Sequence, residues 1–108
     1  PSRVLVTGAS GTLGRRLALR LARPGMRLSL WARDLNALSF LAWQCRAAGA
    51  EVGVCALDLT DIDAALIALE TQDAAEPFDI ALLVAGRGDT LPPGALVEPP
   101  AQIVRLAQ

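Results

Sequence analysis

A chain of 108 residues has room for one domain, and at 53% apolar and 19% charged it is too apolar for a disordered segment. A formal net charge of −1 supplies no global field to hold nucleic acid or an anionic membrane, and no apolar run reaches the roughly 18 residues that span a bilayer. All ten basic residues are arginine, and there is no lysine, histidine or tyrosine, which removes most groups that transfer protons near neutral pH.

Taken in order, the chain alternates short apolar stretches with helical patterns. Val4–Thr7 reads as a buried strand. From Thr12 to Arg23, residues Leu13, Leu17, Ala18 and Leu21 share one helical face, and Pro24-Gly25 stops the helix. "RLSLWA" (27–32) is a second strand. Asp34 can cap the next helix, which carries Leu35, Leu38, Leu41, Ala42 and Cys45 and ends at Gly49. Glu51–Leu57 is a third strand. Thr60 is placed to cap a helix from about Asp61 to Thr71, and Asp79–Val84 is a fourth strand. A loop, "AGRGDTLPPG", follows, and Pro99-Pro100 is expected to open a last helix carrying Ile103, Val104 and Leu106.

Short apolar strands joined by helical crossovers imply a doubly wound parallel sheet of Rossmann type, βαβαβαβ, with strand order 3-2-1-4. Trp31 and Trp43 are expected in the core. Cys45 and Cys55 read as reduced core thiols of a cytoplasmic protein, with no neighbouring ligands for a metal.

The first strand runs into "VLVTGASGTLG", with glycines at 8, 11 and 14. Gly8 suits a tight turn, Gly11 lets a pyrophosphate approach the main chain, and Gly14 lets the helix pack close to the sheet. The helix N-terminus then points N–H groups and a partial positive charge at the phosphates. Ser10, Thr12 and the N–H of Leu13 are the expected direct contacts.

With these glycines, "WARD", "GAEV", "LDLTD" and "LLVAG", in that order, the sequence resembles the cofactor half of the short-chain dehydrogenase/reductase family. The resemblance implies NAD(P) as cofactor and an adenine-contacting Asp58 followed by Leu59. It places Ala85 and Gly86 where the family has Asn-Ala-Gly, and adds Thr7 to the cofactor-binding set. Val84 replaces that Asn, which in the family helps hold a proton-relay water. The glycine spacing, T-G-x-x-G-x-x-G, is that of the epimerase-like branch, whereas "WARD" and "LLVAG" look like the single-domain branch.

Ala32 stands where an Asp or Glu would bind the adenosine ribose hydroxyls, and Arg33 follows it. A guanidinium holds a 2′-phosphate by paired charge-assisted bonds, so NADP is expected over NAD. The family's catalytic Tyr-x-x-x-Lys has no counterpart, and no serine follows Ser39, so no catalytic residue is assigned. The expectation is the N-terminal half of a reductase acting on a carbonyl or alcohol, a homo-oligomer when intact and inactive as this chain alone. The alternatives are a non-catalytic NADP sensor or scaffold and part of an epimerase-like enzyme. Arg87 and Asp89 are candidates for a substrate-side role. The outer edge of the fourth strand is expected to lack a partner, which would drive aggregation.

Overall fold

Alternating side chains of a central strand face opposite sides of a sheet, and β1 (Arg3–Thr7) does so between two helical layers. The computed structural model describes residues 2–84 and 101–105. In chain order they form β1, α1 (Thr12–Leu21), β2 (Arg27–Ala32), α2 (Leu35–Ala47), β3 (Glu51–Ala56), α3 (Ile62–Ala75), β4 (Ile80–Val84) and β5 (Ala101–Arg105). The sheet order is β3-β2-β1-β4-β5, and the first four strands are parallel.

Val4 and Val6 of β1, with Leu28 and Leu30 of β2, face α1 and α2. Ala18, Leu38, Leu41, Ala42 and Cys45 close that core, all fully or nearly fully buried. On the other face Leu5, Trp31, Phe78 and Ala81 form a smaller core, against which Ala68 and Leu69 of α3 pack. Trp31 is buried without leaving its indole N–H orphaned. Its Nε1 donates to Ser29 Oγ at 3.0 Å, and that hydroxyl donates to Gln72 Oε1 of α3 at 2.9 Å.

The C-terminal end of α3 is pinned at the start of the strands. Arg3 lies over the Phe78 ring at 4.1 Å and donates to the Gln72 carbonyl, while Glu76 pairs with both Arg3 and Arg27. Burial first, then the nearby Arg27, lowers the Arg3 pKa from its ordinary value, and Asp73 opposes the shift.

The structure departs from the sequence expectation at four points. The chain after Pro100 forms a strand rather than a helix: β5 runs antiparallel to β4, from Ile80 opposite Arg105 to Val84 opposite Ala101. β-Branched Ile103 and Val104 suit a strand, and the β4 edge offers them a full ladder of N–H and C=O groups. The second correction follows: the outer edge of β4 is paired within the chain. Third, the cap of α3 is Asp61, not Thr60. The helix begins at Ile62, so only residue 61 can reach the Ala64 N–H, which it accepts at 3.1 Å. Fourth, Trp43 is 66% exposed. At about 100° per residue it falls opposite the buried stripe of Leu38, Leu41, Ala42 and Cys45.

Burial raises the pKa of both free thiols: Cys45 is fully buried, and Cys55 is half-buried with a hydrogen bond from Gln72 opposing the shift. Among the described residues no helix is long and apolar enough to cross a membrane.

Candidate functional site

β1, β2 and β3 are parallel, so their C-terminal ends bring residues 7–14, 32–34 and 57–59 to one end of the sheet. At the centre is the turn after β1. Gly8 has φ +62°, in the left-handed region that favours glycine, and a Cβ there would meet the Val84 carbonyl oxygen at 2.7 Å. Gly14 is held for a different reason. A Cβ on it would come within 2.2 Å of the Gly8 carbonyl oxygen and 2.9 Å of Ala9 Cα, so only glycine lets α1 start this close to the turn.

Gly11 is constrained by neither. Its φ is −76° and a Cβ would meet only the Gly8 oxygen, at 3.4 Å. It is nevertheless the N-cap of α1, where it brings no side-chain cap. α2 and α3 are capped by Asp34 and Asp61, whose carboxylates accept from Ala37 and Ala64. At α1 the first-turn N–H groups of Thr12, Leu13 and Gly14 have no acceptor among the described residues. A helix N-terminus with open donors, partial positive charge and no side chain across it suits a phosphate. Ser10 and Thr12 are exposed beside it.

Thr7 has another task. It is 3% exposed, and its hydroxyl accepts from the Val84 N–H at 3.0 Å and donates to the Leu82 carbonyl at 3.4 Å. It ties β1 to β4 immediately before the turn, which makes it a positioning residue. The Ala9 N–H, bonded to the Trp31 carbonyl at 3.1 Å, ties the turn to β2 as well. Sequence reasoning missed this lock. The available signal was a hydroxyl ending a buried strand, which must find a partner.

At the end of β2, Ala32 is buried and Arg33 is exposed, with no ion pair among the described residues. Asp34 lies next to it with its Oδ1 engaged by the Ala37 N–H. After β3, Asp58 is exposed and its Oδ1 accepts from both the backbone N–H and the hydroxyl of Thr60, at 2.9 and 2.7 Å. That turn presents Leu59, 39% exposed, at the same end. Thus residues 7–14, Arg33, Asp58 and Leu59 gather where the glycine turn lies, whereas Ala85, Gly86, Arg87 and Asp89 lie outside the described residues.

A parallel 3-2-1-4 sheet with a glycine turn leading into an uncapped helix defines a dinucleotide-binding fold of Rossmann type. The family model described as short chain dehydrogenase matches residues 2–97, and the chain belongs to that family. It is 45% identical over 87 residues to an uncharacterized oxidoreductase of Myxococcus xanthus (strain DK1622), covering 80% of this chain and 34% of that protein. Among solved structures, a metagenomic short-chain oxidoreductase in complex with NADP is similar at 33% identity and a TM-score of 0.69, over 74% of this chain and 37% of that one. An NAD+-bound xylitol dehydrogenase is similar at 30% identity and a TM-score of 0.63, over 68% and 28%. The chain therefore spans about a third of the length of these relatives. The fold and the glycine turn together suit a dinucleotide ligand.

Proposed function

We propose that this chain supplies the NADP-binding half of an oxidoreductase that moves a hydride between NADP(H) and a carbonyl or alcohol. The observation that carries the reading is the uncapped first turn of α1, set beside two helices that are capped by their own aspartates. Thr12, Leu13 and Gly14 would donate main-chain N–H groups to the pyrophosphate, with Ser10 and Thr12 adding hydroxyls. Asp58 and Leu59 would border the adenine. Arg33 would hold the 2′-phosphate, and the engagement of Asp34 in capping α2 supports this. Bound, the cofactor would supply the hydride acceptor or donor. Chemistry at the substrate needs a proton-transfer group, and a chain without tyrosine, lysine or histidine offers none suited to neutral pH. Turnover is therefore expected only in a longer protein, with this chain alone inactive; that the intact protein is a homo-oligomer is a separate expectation.

A second reading, an NADP-binding module without catalysis, gains one observation: β5 pairs the edge of β4. An NADPH oxidation assay on a panel of carbonyl compounds bears on both, since turnover by this chain would overturn the catalytic argument. The cofactor assignment is tested by titrating NADPH and NADH at fixed salt. NADPH should bind more tightly, and Arg33→Asp should cost its complex about 1.5–3 kcal/mol, the range for hydrogen bonds to charged groups. Equal affinities in the parent would refute the preference for NADP.

A further inference from the structure

The two helical layers carry opposite charge. α1 exposes Arg15, Arg16 and Arg20, with Arg23 just beyond it, and has no acidic residue. None of these arginines makes an ion pair among the described residues. Arg16 and Arg20 are four apart, a like-charge spacing that opposes helix stability, and only Arg20, in the last turn, is favoured by the helix dipole. In the same layer α2 turns Phe40 and Trp43 to solvent, 56% and 66% exposed and stacked with ring centroids 6.2 Å apart.

α3, on the opposite face of the sheet, has no basic residue and no fully buried one. Its outward side combines Ile62, Leu66 and Ile67, each half or more exposed, with exposed Asp63 and Glu70. At helical spacing Ile62, Leu66 and Glu70 form one row and Asp63 and Ile67 the next. Each layer thus offers what the other lacks: acids and aliphatic side chains on one, arginines and an aromatic pair on the other.

We propose that α3 of one copy of this chain docks across the α1–α2 layer of a second copy. Asp63 and Glu70 meet the arginines of α1, and Ile62, Leu66 and Ile67 cover Phe40 and Trp43. Tryptophan and arginine are the residues that most often carry interface energy, and an amphipathic helix laid on an apolar surface is a recurrent mode of recognition. The two faces lie on opposite sides of the sheet, so docking leaves one of each free, and a head-to-tail contact of this kind grows beyond a dimer. The proposal does not depend on cofactor binding.

Sedimentation velocity of the full chain across a concentration series tests it. At low salt the average mass should rise past that of a dimer. At high salt, where the Debye length falls to about 3 Å near 1 M, it should return towards the monomer. The variants Arg16→Glu/Arg20→Glu and Asp63→Arg/Glu70→Arg should each be monomeric alone and associate when mixed, because each then supplies the charge the other lost. Trp43→Ser, which leaves the charge unchanged, should weaken association about tenfold or more. Circular dichroism establishes that each variant is folded, and recovery on mixing requires it of both charge variants. A parent that stays monomeric at low salt overturns the proposal. So does an Arg16→Glu/Arg20→Glu variant that associates like the parent, which would point to α3–α3 contact or pairing of β3 edges. A mixture of folded variants that remains monomeric overturns it too.

Discussion

The two faces of the sheet are packed by different rules. On the α1–α2 face, helices approach until backbone meets backbone at Gly14 and bury Ala18, Leu38, Leu41, Ala42 and Cys45. On the α3 face no helical residue is fully buried, and the helix is held by Phe78, by the Trp31–Ser29–Gln72 hydrogen bonds and by ion pairs at its C-terminal end. The closely packed face also holds the glycine turn, as positioning requires: a loop that must present main-chain N–H groups to a ligand needs a rigid support on the side from which it springs.

The largest expected effect breaks this difference at its tightest point. Gly14→Ala places a Cβ against backbone atoms that cannot move aside, so it should cost about 3 kcal/mol and lower the melting temperature by about 10 °C or more. Gly53→Ala, whose added Cβ meets nothing within 4 Å, is the matched control and should be close to neutral. Next come the cores. Leu41→Ala, at a position 1% exposed, should cost about 2–3 kcal/mol in denaturant unfolding, whereas Leu66→Ala, at 50% exposed, should stay within about 0.5 kcal/mol in dilute solution. Similar losses at the two sites would mean that α3 is packed as firmly as α2. The smallest effect concerns caps. Asp61→Ala should cost about 1 kcal/mol, and Thr60→Ala less, because Thr60 bonds Asp58 rather than the helix end.

The parallel part of the fold was legible because its signals are local. Short, mostly apolar strands of five or six residues, Pro24-Gly25 and the glycine turn punctuate the chain where the elements change. What escaped depends on contacts far apart in sequence. β5 reads as a helix until the β4 edge is there to pair with it, and Thr7 reads as a ligand contact until Val84 arrives beside it, 77 residues on. Trp43 reads as core by its hydrophobicity, but its angle on α2 turns it away from the buried stripe. The gathering of Gly8–Gly14, Arg33, Asp58 and Leu59 at one end was readable because parallel strands deliver their C-terminal ends to one side. The division of labour among the three glycines was not, since it rests on distances to backbone atoms.

If the N-terminus of α1 is left uncapped for a dinucleotide's phosphates, as proposed, Gly11 is the residue that isolates it. Gly11→Asp adds a strong N-cap at an ordinary φ with only one 3.4 Å contact, so the fold should be unharmed or slightly stabilised. The same carboxylate would take up the open N–H groups and repel a pyrophosphate. Calorimetric titration with NADPH should therefore show one binding site in the parent and none in Gly11→Asp, at an equal or higher melting temperature. A parent that does not bind NADPH, or a folded Gly11→Asp variant that binds it as tightly, would rule out the α1 N-terminus as the phosphate site.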